Sequence, residues 1–180
     1  LHDRRSINLL KSILPDNCVD CSQLQEGGTL PNIDGYLEIL DENGIAREKI
    51  TVQVKHLTYP EKNGEVFYDI PESVYAYAKI HKGELVFFIA CDYASRKFYW
   101  RNIDTAAIEE FKNKARYYFK DNEKCGEKNV DATIDHWRQL YKQKMESIKD
   151  DKYLADQFAS RQKMCFNAVS SELHGVRDSH

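Results

Sequence analysis

Three polar side chains in the first third of the sequence, Asp34, Gln53 and Lys55, are of types that can act together on a phosphate ester. A carboxylate and an amide oxygen suit a hard divalent cation such as magnesium, which takes a few oxygen ligands and keeps several waters. Asp34 would supply the charged ligand. Gln53 would add a neutral oxygen or orient a water. A lysine beside them could position an attacking water or stabilise charge developing on phosphate oxygens. Glu38 is a supporting candidate. It lies four strand residues from Asp34, about 13 Å, too far to share one ion, and is set to pair with Lys49 or to support Lys55 from a distance.

These residues converge only if the chain around them forms a hairpin. Residues 33–41 alternate, with Ile33, Leu37 and Ile39 set apart from Asp34, Tyr36 and Glu38. "DENG" (41–44) is a hairpin signal. "EKITVQVKHL" alternates again, with Ile50, Val52 and Val54 opposite Thr51, Gln53 and Lys55. A two-residue Asn43-Gly44 tip puts Asp34 opposite Gln53, Tyr36 opposite Thr51 and Glu38 opposite Lys49. Cross-strand partners share a face, so Asp34, Gln53 and Lys55 gather on one side and the apolar set fills the other. Alternation of this kind ordinarily means a solvated hairpin face, and that reading stands beside the chemical one.

The remaining elements read as a frame for the hairpin. "RRSINLLKSIL" places Ile7, Leu10, Ile13 and Leu14 on one face of a helix stopped by Pro15. "CVDCSQL" reads as a short strand, followed by the turn-rich "QEGGTLPN". "VFYDI" reads as a strand and "PESVYAYAKIH" as a helix with Pro71 at its start. "ELVFFIACD" is a continuous apolar run suited to a strand buried on both faces, and "KFYWRNI" a further strand. From Asp104 the spacing predicts helices over 104–121, 130–149 and 151–173. This gives an α/β core over 1–103 and a helical extension over 104–180.

Taken together, "NIDGYLEIL", "ITVQVK", "FYDIP", "LVFFIACD" and "KFYWRNI" in this order resemble the PD-(D/E)XK nuclease superfamily. More narrowly, they resemble its bacterial branch known as domain of unknown function 4365, over residues 5–103. The resemblance implies a restriction-endonuclease-like core (helix, three strands, helix, strand) and magnesium- or manganese-dependent hydrolysis of nucleic acid, DNA foremost. It matches Asp34, Gln53 and Lys55 to the motif positions, with Asp34 and Gln53 at the metal. It also implies the effector domain of a larger bacterial defence or repair protein. Gln53 stands where many relatives carry a second acid. The helix that often supplies another has Arg4, Arg5 and Ser6 at the nearest positions, with Asp3 close by. These departures leave open a second reading, a catalytically inactive module of the same fold that binds nucleic acid or a protein partner.

Composition bounds both readings. With 42% hydrophobic and 31% charged residues the chain is globular. A net charge of −3 argues against a surface coated in positive charge for tight, non-specific nucleic-acid binding. No apolar run is long enough to span a bilayer. Five cysteines without framework spacing predict reduced thiols and a cytoplasmic setting. Cys18 and Cys21 form a C-x-x-C, half of a zinc pattern whose other half is missing. Tyr99 and Trp100 are expected to pack in the core, though one of two strand neighbours could stack on a base. Lys112, Arg116 and Lys120 read as a basic stripe on a helix. The later aromatics, from Tyr117 to Phe166, are expected to form the extension's own core or to face a second copy or a neighbouring domain.

Overall fold

The computed structural model of the chain describes residues 2–25, 33–58, 64–103 and 116–175. Helix α1 (His2–Ile13) leads into strand β1 (Val19–Asp20) and the hairpin strands β2 (Gly35–Leu40) and β3 (Ala46–His56). Strand β4 (Phe67–Asp69) and helix α2 (Glu72–Ile80) precede β5 (Leu85–Asp92) and β6 (Lys97–Asn102). Then come β7 (Arg116–Tyr118), a 3-10 turn at Asp121–Glu123, β8 (Lys124–Cys125) and helix α3 (Val130–Gly175). The fold is mixed α/β. A six-stranded sheet has the order β1-β2-β3-β5-β6-β8, and β4 pairs with β7 in a separate ribbon. Among the described residues, only β3 and β5 run parallel in the larger sheet.

Each face of that sheet is covered. On one, Ile7, Leu10 and Ile13 of α1 and the following Leu14 pack on Leu37, Ile39, Ile50, Val52 and Val54. Pro15 cannot continue α1, because it has no N–H to give and its ring clashes with the turn before it. On the other face Val74, Tyr75 and Ala78 of α2 pack on Val86, Phe88, Ala90 and Tyr99. All eight residues of β5 are buried, as its continuous apolar sequence requires. Tyr99 and Trp100 point to opposite faces and both are buried, so both pack.

The chain past residue 103 departs from the helical expectation. Residues 104–115, with Lys112, lie outside the described residues. Arg116–Tyr118 is a strand rather than the end of a helix. Its partner β4 is equally short, and Tyr117 and Phe119 turn inward onto the α2-side core. The basic stripe is therefore not helical at its described positions. Arg116 instead forms a bidentate pair with Asp69 at 2.9 and 3.1 Å and lies over the Phe67 ring. Trp137, fully buried, packs against Phe87, Phe98 and Trp100. Its role is in the sheet's core, not in a separate helical one. The first compact unit accordingly runs to Lys142, and the second comprises 143–180. Helix α3 is continuous where Asp150–Asp151 suggested a boundary, since neither residue removes a backbone hydrogen bond. Tyr153 and Leu154 are exposed on it.

Candidate functional site

The β2–β3 register sets the site. Tyr36 faces Thr51 and Glu38 faces Lys49, as expected, but the tip is built differently. Three residues, 42–44, lie between Asp41 and Ile45, whose N–H and carbonyl close the loop at 2.9 Å. Gly44 takes a positive φ of 75° there, and the Asp41 carboxylate accepts the N–H groups of Asn43 and Ile45, each at 2.9 Å. The longer tip shifts the pairing, so that Leu40 faces Ala46. A bulge at Arg47 shifts it back, so that Ile39 faces Glu48.

Asp34 sits just before β2, held on three sides. Its N–H donates to the Val52 carbonyl at 3.0 Å, and its carbonyl accepts the Gln25 N–H at 2.9 Å. Its carboxylate Oδ2 accepts the Val54 N–H at 2.7 Å and the Gln53 side-chain Nε2. The next residue, Gly35, has φ +130°, and a Cβ there would lie 2.1 Å from the Gln23 carbonyl oxygen. Only glycine satisfies both demands. The "IDG" in the sequence thus has a steric cause: Gly35 lets residues 23–25 run close alongside and fix Asp34.

Asp34 is 5% exposed and Gln53 1%. The solvated-face expectation therefore fails for this pair, because α2 and the chain around it cover the polar face as α1 covers the apolar one. The Gln53 Oε1 is buried without a hydrogen-bond partner among the described residues. Lys55, two residues on and so on the same face, is partly buried. Its backbone lies against Ala90 of β5. Glu38 is not brought to the pair. It lies between Asp20 of β1 and Lys49 of β3, and the Lys49 ammonium sits 3.9 Å from the Tyr36 ring centre. On α1, Ser6 is buried and shares a 2.9 Å hydrogen bond with the Tyr93 hydroxyl, and Tyr93 stacks on His56. Arg4 and Arg5 are exposed.

A second polar group adjoins the pair and was not singled out from the sequence. Glu84, just before β5, accepts the Thr51 hydroxyl at 2.6 Å and the Tyr77 hydroxyl at 3.0 Å through the same Oε2. His81 stacks on Tyr77 at 4.1 Å and lies 3.4 Å from the other Glu84 oxygen. Burial, the Glu84 hydrogen bond and its charge push the Tyr77 phenol up to about 12. These residues line a cavity of about 480 Å³ that reaches Asp34. The signal for Thr51 was present in its alternation with Gln53. Glu84 and Tyr77 carried none, because their approach depends on how α2 folds back over the sheet.

Cys18 and Cys21 are both free thiols, and burial pushes the Cys21 thiol up to about 12. Among the described residues no three His, Cys, Asp or Glu side chains cluster as metal ligands. No helix among them is long and apolar enough to cross a membrane. No protein-family model, curated protein or solved structure matches the chain.

Proposed function

We propose that the chain carries a metal-dependent nuclease, acting on DNA through Asp34, Gln53 and Lys55 on a restriction-endonuclease-like core. The observation that supports this reading most is the buried contact between Asp34 and Gln53, made by two strands, with Lys55 next on the same face. Helix α1, the sheet strands β1, β2 and β3, helix α2 and strand β5 follow in that order with only β4, which pairs outside this sheet, interposed, and β3 and β5 are parallel; this supports the core that the sequence resemblance implies.

The donor set fits a magnesium or manganese ion. Asp34 would supply one anionic oxygen and Gln53 the neutral Oε1, which has no hydrogen-bond partner among the described residues. Such an ion, when bound, supplies charge neutralisation on the phosphate and a more acidic bound water. The chain's own residues supply the rest. The Val54 N–H donates to the Asp34 carboxylate and keeps it aimed. Lys55 brings a compact positive charge with three donors, suited to holding a water or a phosphate oxygen.

One observation favours the second reading, a nucleic-acid-binding module without catalysis. Asp34 Oδ2 already accepts two protein donors, as a carboxylate that merely clamps a hairpin would. Incubation of the purified chain with plasmid and with single-stranded DNA, in magnesium, manganese or EDTA, decides between them. The catalytic reading expects cleavage with either metal, none in EDTA, and none from a folded Lys55→Ala variant. DNA binding without cleavage in any condition would establish the second reading instead.

A further inference from the structure

We propose that the cavity beside Asp34 is a base-binding pocket that selects nucleotides bearing an exocyclic amine, an inference that rests on the nucleic-acid reading of the site. The sheet face is a series of cross-strand pairs. Asp34 and Gln53 form one, Tyr36 and Thr51 the next, about 7 Å along the strands. The cavity opens over that next pair and is roofed by Tyr77 of α2. At about 480 Å³ it falls within the roughly 300–1,000 Å³ usual for small-ligand pockets.

Its lining has the parts that base recognition needs. Tyr36 on the strand, with the Lys49 ammonium over one face of its ring, and the stacked Tyr77–His81 pair on the helix bring aromatic rings to the cavity wall, the kind of surface on which a base stacks. Glu84 supplies selection. An ionised carboxylate only accepts, and Thr51 and Tyr77 both donate to its Oε2, which holds the group in place. The Oε1 remains the acceptor edge, with His81 at 3.4 Å to one side. An amine such as cytosine N4 donates to such a group, whereas the thymine O4 at the same position repels it. Lys49, over the Tyr36 ring, stands at the rim, where a phosphate of the bound strand would pass. A base held here places its own phosphate one pair from Asp34.

The test is anisotropy binding of the full chain, in EDTA, to labelled oligodeoxycytidine and oligodeoxythymidine of equal length. Binding several-fold tighter to oligodeoxycytidine is expected. Glu84→Gln should abolish or reverse the preference, since the amide oxygen can still accept from Thr51 and Tyr77 while the NH2 turns the free edge from an acceptor into a donor. Tyr36→Ala should weaken both probes by about tenfold, in line with the loss of one stacking contact. Circular dichroism confirms that each variant folds, and Tyr77→Phe, which frees Glu84 from one anchor, should reduce the preference by a milder route. Equal affinity for the two probes, no binding of either, or a preference that survives in a folded Glu84→Gln variant would overturn the pocket. Cleavage by the wild type alongside a surviving preference in that variant would overturn the pocket and leave the nuclease reading standing. A Glu84-dependent preference without cleavage would do the reverse.

Discussion

Asp34 and Gln53 are joined side chain to side chain across the β2–β3 hairpin, and both are almost fully buried. A carboxylate in that setting needs donors or a cation to remain charged. Gln53→Glu is therefore the most direct probe of the pair. It removes the Nε2 donor and adds a second carboxylate. Magnesium or manganese should bind the variant more tightly than the wild type, because charge count raises affinity at oxygen sites. Without metal the variant should melt earlier, and added metal should raise its Tm more than that of the wild type. Equal affinities by calorimetry would remove Gln53 from the metal site.

Gly35→Ala tests the support behind Asp34. The substitution puts a Cβ against the Gln23 carbonyl and at a φ that side chains rarely adopt. A loss above about 2 kcal/mol is expected in denaturant titration, from strain and the displacement of residues 23–25. A variant as stable as the wild type would mean that those residues do not fix Asp34.

Trp137→Ala tests where the first unit ends. Trp137 fills the space between Phe87, Phe98 and Trp100, so truncation should cost about 3–5 kcal/mol. By the same reasoning a chain ending at residue 142 should fold, and one ending at residue 103 should not. Cooperative unfolding of the shorter piece would show that the sheet does not need β8 and the start of α3.

Tyr77 gives a pH signature. Its folded-state pKa is raised from 10.0 to about 12, first by burial and then by Glu84. The unfolded chain thus loses this proton before the folded chain does. The stabilisation is complete below pH 10 and is lost as pH rises towards about 12. Tyr77→Phe should lower stability at neutral pH by about 1 kcal/mol through the lost hydrogen bond. The alkaline limb of the stability curve should also be flatter in the variant, and parallel limbs would contradict the assignment.

Much of the site was legible in the sequence because a hairpin is a local structure. Period-two alternation and a turn signal are enough to pair Tyr36 with Thr51 and to bring Asp34 to Gln53. The length of the tip is not legible in this way. Its third residue and the Arg47 bulge displace the register in opposite senses, which periodicity cannot detect. The buried run of β5 was equally plain. What was hidden depends on distant segments meeting. Nothing near Glu84 indicates that Thr51 and Tyr77 will donate to it, and the aromatic spacing after residue 115 looked helical because β7 is only three residues long. That α2 would bury the polar face of the hairpin followed from no feature of β2 or β3.

The parallel pairing of β3 with β5 also carries a kinetic meaning. Asp34 and Gln53 are 19 residues apart, and an isolated hairpin closes in about 1–10 μs. The strand that backs Lys55 is reached only through β4 and α2, and joining Ile50 to Leu85 requires closing a long loop before any contact rewards it. As the chain emerges during synthesis, the polar pair can therefore assemble well before the sheet that buries it. Its enclosure waits on β5. A chain halted before β5 would leave Asp34 and Gln53 bathed in water on a hairpin that is marginal by itself, without the low-dielectric surroundings on which their chemistry would depend.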